Sequence, residues 1–461
     1  MENSAFEHYF DNLRGKRVAV LGLGVSNRPL AKLLLTHGCQ VIGCDRTPRE
    51  RADQAVLELE RDGAVLRLGP NYLEDLQADV AFRTPGMHPN MPALVRLRQT
   101  GVKITSEMEA FFELCPCQII GVTGSDGKTT TTTLIAEMLR EAGYRIWLGG
   151  NIGQPLLSLV PQMKPDHYAV VELSSFQLMD MRRSPHIAVV TNLAPNHLDV
   201  HRDMQEYIQA KQNVYRYQSG SDLLIVNMDN PITRDFVGPG ALRKFSRLGR
   251  PEAGVFLENG GVYRCSPQGQ NALILLQQEI LLPGIHNVEN YMAAIAAVEG
   301  LVPDVAIRKV AAHFAGVEHR IELVREKDGV RYYNDSIASS PSRTIAGLRS
   351  FPQKVVLIAG GYDKHIPYDT LGPEICRHVK LLIVTGDTGE KIRQATVQAP
   401  TYQPGKPEIQ SVPEFAQAVL TAAQAARPGD VVLLSPASAA FDRFPNFMVR
   451  GQYFKELVQS L

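Results

Sequence analysis

Apolar residues along the chain fall into short uninterrupted runs, each closed by a turn and followed by a stretch with helical spacing. The run at 16–21 is broken by Gly22-Leu23-Gly24, positions 29–37 carry a helical apolar stripe, and the run at 40–44 ends at Asp45. Strand, helix and strand in that order predict a parallel sheet, because parallel neighbours need a crossover between them. A helix with a glycine stop at 94–101 and a strand at 102–104 complete this unit and predict a boundary near residue 106.

Further runs at 118–122, 169–173, 187–191 and 223–226 lack polar alternation, the pattern of strands buried on both faces. Between 232 and 283 the pattern changes to short alternating pieces with Gly and Pro, which predicts a small antiparallel insertion. An Ala-rich helix is expected at 290–301, and buried runs return at 355–359, 381–384 and 431–434. The expected fold class is α/β, with three domains in series at 1–106, 107–316 and 317–461. The first and last read as Rossmann-like, and the central one as a parallel-sheet domain with a small antiparallel subsheet. A length of 461 residues accommodates three domains of ordinary size.

Composition narrows the classes of function. A hydrophobic share of 44% with 21% charged residues fits a globular protein and excludes global disorder. Lys+Arg and Asp+Glu balance at 48 each, so no charge excess seeks nucleic acid or an anionic membrane. No apolar run reaches the roughly 18 residues that span a bilayer, and the first residues lack the basic-then-apolar profile of a secretory signal. A cytoplasmic protein is expected. Of the cysteines at 39, 44, 115, 117, 265 and 376, only Cys115-Pro116-Cys117 forms a close pair. Its one-residue gap matches neither a zinc knuckle nor a redox CxxC, so reduced structural thiols are expected.

The candidate chemistry starts at Thr123-Gly124-Ser125-Asp126-Gly127-Lys128-Thr129-Thr130, between a predicted strand and a predicted helix. Such a P-loop aims backbone N–H groups at phosphate oxygens, and the helix N-terminus adds positive potential. Lys128 supplies a point charge and Thr129 a hydroxyl for Mg²⁺, although Val122 stands where the common motif has its first Gly. Gly22 to Asn27 followed by Asp45 resembles a dinucleotide fingerprint with Asn27 in place of the last Gly. Nucleotide-type binding and a structural βα turn both fit it. Glu172 ends one apolar run and His197 follows another, where open α/β sheets hold ligands. Lys211, within a helix predicted at 205–217, reads by itself as a solvated lysine. Asn334-Asp335-Ser336, Gly360 to Lys364 and Ser435 to Ser438 each follow a strand, and three such ends favour a shared cleft over helix capping.

In chain order, TGSDGKTT at 123–130, GNIG at 150–153, ELSSFQL at 172–178, NHLDVH at 196–201 and HNVEN at 286–290 resemble motifs of the Mur ligase family. EHRIELV at 318–324, NDSIASSP at 334–341, GGYDK at 360–364 and SPASAAFDRFPNF at 435–447 extend the resemblance over nearly the whole chain. It implies a ligase of peptidoglycan synthesis that adds D-glutamate to UDP-N-acetylmuramoyl-L-alanine through an acyl-phosphate. It also implies ATP and two Mg²⁺ ions as cofactors, small-molecule substrates only, no nucleic acid, no membrane insertion and a monomer.

Residue by residue, the resemblance implies a catalytic set of Lys128, Glu172, His197 and Lys211. ATP would be held by Gly124, Ser125, Asp126, Gly127, Lys128, Thr129 and Thr130, with Asn287, Asn290, Arg320 and Asp335. The UDP-substrate would meet Ser26, Asn27, Asp45, Arg46, Thr84, Gly86 and Asn151, and the incoming amino acid Ser339, Lys364 and Phe447. Metal would be held by Thr129, Glu172, His197 and Lys211, the last as a carbamate. Two positions depart from the family pattern: Ile337 stands where a lysine is usual and Ala440 where a serine is usual, with Arg343 a candidate for the missing charge. A nicotinamide oxidoreductase would leave the P-loop unused, and a mere nucleotide binder would leave Glu172, His197 and Lys211 unexplained. A folylpolyglutamate synthetase-like ligase shares the chemistry but not the 22–27 turn with Asp45.

Overall fold

The computed structural model describes residues 4–461 except 25, 196–199, 267 and 364–365. Three sheets follow one another along the chain. The first contains β1 (Arg17–Leu21), β2 (Gln40–Asp45), β3 (Val65–Leu68), β4 (Val80–Arg83) and β5 (Lys103–Thr105) in the order 3-2-1-4-5. Every pair is parallel. Successive residues Val18 to Leu21 point to opposite faces yet all are buried, which is why the run carries no polar alternation. Strand order reverses between β1 and β4, so a crevice opens beyond their carboxyl ends.

The second sheet has nine strands in the order 14-13-12-11-10-9-6-8-7. They are β6 (Gln118–Thr123), β7 (Ile146–Gly150), β8 (Tyr168–Glu172), β9 (Ile187–Val190), β10 (Leu223–Asn227), β11 (Ala241–Ser246), β12 (Gly254–Glu258), β13 (Gly261–Cys265) and β14 (Asn271–Leu276). The expectation of an antiparallel insertion over 232–283 needs correction. β11 runs parallel to β10, and β12 parallel to β11, so this stretch extends the main sheet. Only β12, β13 and β14 are mutually antiparallel. The crossover at 228–240 contains just a short 3₁₀ turn, Thr233–Asp235, and so offers no helical periodicity to mark it. The Ala-rich helix also starts earlier, spanning Ile285–Ala297, because its polar first turn has no apolar pattern.

The third sheet contains β15 (Glu322–Lys327), β16 (Val330–Asn334), β17 (Val355–Ala359), β18 (Val379–Val384), β19 (Glu408–Ser411) and β20 (Val431–Leu434) in the order 15-16-20-17-18-19. All its pairs are parallel except β15 with β16. Residues up to Glu279, together with Glu289–Val310, form one compact unit; Ile280–Val288 and Ala311–Leu461 form another. In the first unit a single apolar core joins Phe6, Phe10 and Leu34 to Phe111, Ile119 and Val171, and so ties the first two sheets together. In the second unit Leu357, Leu382 and Leu433 fill one face of the third sheet, and Val356, Ile358 and Val432 the other. None of the described helices is long and apolar enough to cross a membrane.

Candidate functional site

The loop after β6 leads into the helix Lys128–Glu141 through Gly127, the residue just before it, at φ 77°. That positive φ favours glycine, and a side chain there would strike Asn290 Oδ1. Gly124 is likewise at positive φ, and a Cβ on it would collide with the Thr191 hydroxyl. Lys128 Nζ donates to the Gly124 and Ser125 carbonyls, each at 2.9 Å. Asp126 is pinned by Asn192 Oδ1, which accepts from its N–H at 3.0 Å, and by the Thr191 hydroxyl, which donates to its carbonyl at 2.6 Å. Ser125 supports the loop from below, since its Oγ lies 2.9 Å from the Tyr207 hydroxyl and donates to the Ala194 carbonyl at 3.0 Å.

Glu172, the last residue of β8, is buried beside this loop. Thr129 Oγ1 donates to its Oε2 at 2.6 Å, and Asn151 Nδ2 to its Oε1 at 2.7 Å. These are hard oxygen donors of the kind Mg²⁺ takes alongside substrate phosphates. Among the described residues no three His, Cys, Asp or Glu side chains converge on one point. Lys211, on the helix Met204–Arg216, is buried and not solvated. Its Nζ donates to Thr123 Oγ1 at 3.1 Å and lies 4.9 Å from the centre of the Tyr207 ring. Burial first, and the Lys128 charge second, pull its pKa well below that of an ordinary lysine, against opposing pulls from Glu172 and Asp126. A buried amine held neutral is a nucleophile, able to take up CO₂ as a carbamate with loss of a proton. His197 lies outside the described residues.

Two cavities lie in the first unit, the smaller one reaching Asn151. One of about 630 Å³ lies over the 22–24 turn and is lined by Asp45, Arg46, Tyr72, Thr84, Gly86 and His88, among others. Burial alone would raise the Asp45 carboxyl. Hydrogen bonds from the N–H groups of Thr47 and Leu23, at 2.9 and 2.8 Å, outweigh it and hold the group below the usual value. A second cavity of about 290 Å³ is lined by Ser26, Pro85, Asn151 and Gln177. Asn27 lines neither: its Nδ2 donates to the Leu21 and Gly22 carbonyls at 3.3 and 2.9 Å, closing the turn where the fingerprint has its last glycine. Thr84, Pro85 and Gly86 run from one cavity to the other.

In the second unit, Asp335 follows β16, and its Oδ2 accepts from Ser435 Oγ at 2.7 Å beyond β20. Burial pushes its carboxyl up to about 7, opposed by Ser435 and by the nearby Arg320 charge. Arg343 Nη1 donates to the Ile337 carbonyl at 3.2 Å. Phe447 opens the helix Phe447–Ser460, and its ring meets His319 edge-on at 6.0 Å. Ser339 sits in the turn after Ser336, its N–H donating to the Ile337 carbonyl at 2.8 Å. Asn287 Nδ2 donates to the Pro283 carbonyl at 2.6 Å, whereas Asn290, in the other unit, accepts from Thr131 Oγ1 at 3.3 Å. Lys364 lies outside the described residues.

Residues 122–298 match the Mur ligase middle domain, and 319–438 match the Mur ligase glutamate ligase domain. A relative from Acetivibrio thermocellus, a UDP-N-acetylmuramoylalanine–D-glutamate ligase, is 49% identical over 100% of this chain and 99% of its own. The chain belongs to the Mur ligase family. A Clostridium botulinum (strain Hall) protein of the same name is 47% identical over 99% of this chain and 100% of its own. Among solved structures, the UDP-N-acetylmuramate–alanine ligase of Thermotoga maritima superposes with a TM-score of 0.58 at 18% identity, covering 96% of this chain and 99% of that one. The ADP-bound MurF ligase of the same organism gives 0.54 at 17% identity, covering 98% and 97%. At such identities the structures establish the shared fold.

Two supporting residues of this Mur ligase chain escaped the sequence reading. Arg83, at the end of β4, is buried; its Nη1 donates to the carbonyls of Met87, Thr84 and Pro85 at 2.6, 3.2 and 3.2 Å. The same guanidinium pairs with Asp180 and donates to the Phe176 carbonyl at 3.2 Å. Arg450 is also buried, its pKa lowered by burial to about 10. It donates to Ser336 Oγ and to the carbonyls of Ser336, Ser438 and Ala439 at 2.9–3.1 Å. Arg83 had one available signal, its place as the last residue of an apolar strand; Arg450 had none, lying in the first turn of its helix between Val449 and Gly451.

Proposed function

We propose that the chain uses ATP to join D-glutamate to UDP-N-acetylmuramoyl-L-alanine, with domains at 1–106, 107–316 and 317–461 serving the UDP-substrate, ATP and the amino acid. The observation that carries the chemistry is the meeting of the P-loop with Glu172, Asn151 and Lys211 at the carboxyl ends of β6 and β8. Full-length similarity to ligases named for D-glutamate supports the choice of substrates.

In this reading the uridine end occupies the larger cavity against Asp45 and Arg46. The muramoyl arm follows Thr84, Pro85 and Gly86 towards Ser26 and Asn151. Its carboxylate oxygen then attacks the γ-phosphorus of ATP and ADP leaves; the amine nitrogen of D-glutamate attacks the acyl carbon, sheds a proton, and phosphate leaves. Both partners of the first step are anionic, so positioning and positive charge carry most of the catalysis. Lys128 and the P-loop N–H groups would draw negative charge from the phosphates. Thr129, Glu172, His197 and Lys211 as its carbamate would hold magnesium, which when bound would neutralise phosphate charge. Asn287, Asn290 and Arg320 would contact ATP and Asp335 its ribose, and Ser339, Lys364 and Phe447 would hold D-glutamate.

The test is phosphate release from ATP with UDP-N-acetylmuramoyl-L-alanine and a panel of amino acids. Release that requires both the muramoyl substrate and D-glutamate is expected, with Ile337 and Ala440 tolerated. Preference for another amino acid would move the specificity, and no release with any amino acid would sink the assignment.

A further inference from the structure

The Cys115-Pro116-Cys117 turn has no part in the ligase chemistry, lying at the opposite end of β6 from the P-loop. Its sequence spacing argued against a metal site, but the fold adds a third sulfur. Cys115 Sγ lies 3.2 Å from Cys117 Sγ and 3.9 Å from Met163 Sδ, the methionine coming from the end of the 3₁₀ turn Leu157–Gln162. Cys117 and Met163 are buried, while Cys115 is half-buried and offers a way in from solvent. Cys115 also ends the helix Glu107–Leu114, where the backbone dipole favours a cation.

We propose that Cys115, Cys117 and Met163 bind a thiophilic monovalent metal ion, copper(I). Two thiolates and a thioether form a soft donor set, which selects copper(I) over magnesium or calcium. Zinc sites require four ligands, and no cluster of three His, Cys, Asp or Glu occurs among the described residues to supply the rest. Three sulfurs around one ion at about 2.3 Å stand roughly 4 Å apart. The Cys115–Met163 pair is already at 3.9 Å, and the 3.2 Å cysteine pair would have to widen on binding. Binding forms three metal–sulfur bonds and releases the two thiol protons, with no change of oxidation state.

The test is anaerobic titration of the reduced full-length protein with copper(I) in competition with the chromophoric chelator bicinchoninate. About one ion per chain is expected, with X-ray absorption reporting three sulfur neighbours near 2.3 Å. Met163→Leu should weaken binding by about 10-fold and leave ligase activity unchanged. The double variant Cys115→Ser/Cys117→Ser should lose more than the roughly 100-fold that removal of a mere supporting contact can bring. Cys39, Cys44, Cys265 and Cys376 remain in every variant as internal controls. Equal affinity in the double variant overturns the proposal. So does wild-type absorption with fewer than three sulfurs, a readout that needs no variant to fold.

Discussion

The P-loop and the strand ends of the third sheet both gather polar side chains where parallel strands terminate, yet they are held together differently. Around the P-loop the side chains assigned to chemistry hold one another: Thr129 and Asn151 both donate to Glu172, and Lys211 donates to Thr123. At the third sheet the loops that carry Ser336, Ser438 and Ala439 are held by Arg450, which touches backbone carbonyls and one hydroxyl. In the first region the atoms proposed to take part in the reaction also provide the support. In the second a separate residue provides the support, so damage should appear first as lost stability.

Four substitutions sharpen or break that contrast. Lys128→Ala should lower kcat/KM by about 10³-fold with little change in the melting temperature; activity within tenfold of wild type would break the catalytic picture. Lys211→Ala should cost about 10²-fold, and a short carboxylate such as formate should restore part of it by taking the carbamate's place. No rescue, with unmodified lysine in the active enzyme by mass, would reject the carbamate. Arg450→Met leaves buried carbonyls without a donor, at roughly 1–3 kcal/mol each. The unit containing it should melt several degrees lower by calorimetry, and an unchanged midpoint would remove the distinction between the two regions.

The smallest effect concerns pH. Burial holds the Asp335 carboxyl at about 7 in the folded protein, against about 4 when unfolded. The folded state therefore binds this proton more tightly, and stability from this group falls as pH rises from about 4 to about 7, then levels off. Asp335→Asn removes the dependence. The melting temperature of wild type minus that of Asp335→Asn should fall between about pH 4 and pH 7, and a constant difference would contradict the raised value.

Much of this was legible because the strands are continuous apolar runs and the P-loop needs glycine at 124 and 127 for reasons of backbone and space. Asp45, Glu172 and Asp335 were visible as carboxylates at or just beyond strand ends. Arginines were not, since Arg83 and Arg450 look in sequence like surface charge, and only the carbonyls gathered around them explain their burial. Lys211 read as solvated until the fold put Thr123 and Tyr207 beside it. The parallel pairing of β10 with β11 was hidden because its crossover lacks a full helix. Tyr72 and His88 line the larger cavity from loops with no motif of their own.

Arg83 also bears on how such a protein could be recombined. The wall formed by Thr84, Pro85 and Met87 takes its shape from a guanidinium whose other face is anchored to Phe176 and Asp180, beyond β8. This cavity wall is thus not a cassette that begins and ends with the first sheet. A graft of residues 1–106 onto a related chain would carry a buried cation into a foreign setting, and would keep its shape only if the segment around 176–180 travelled with it.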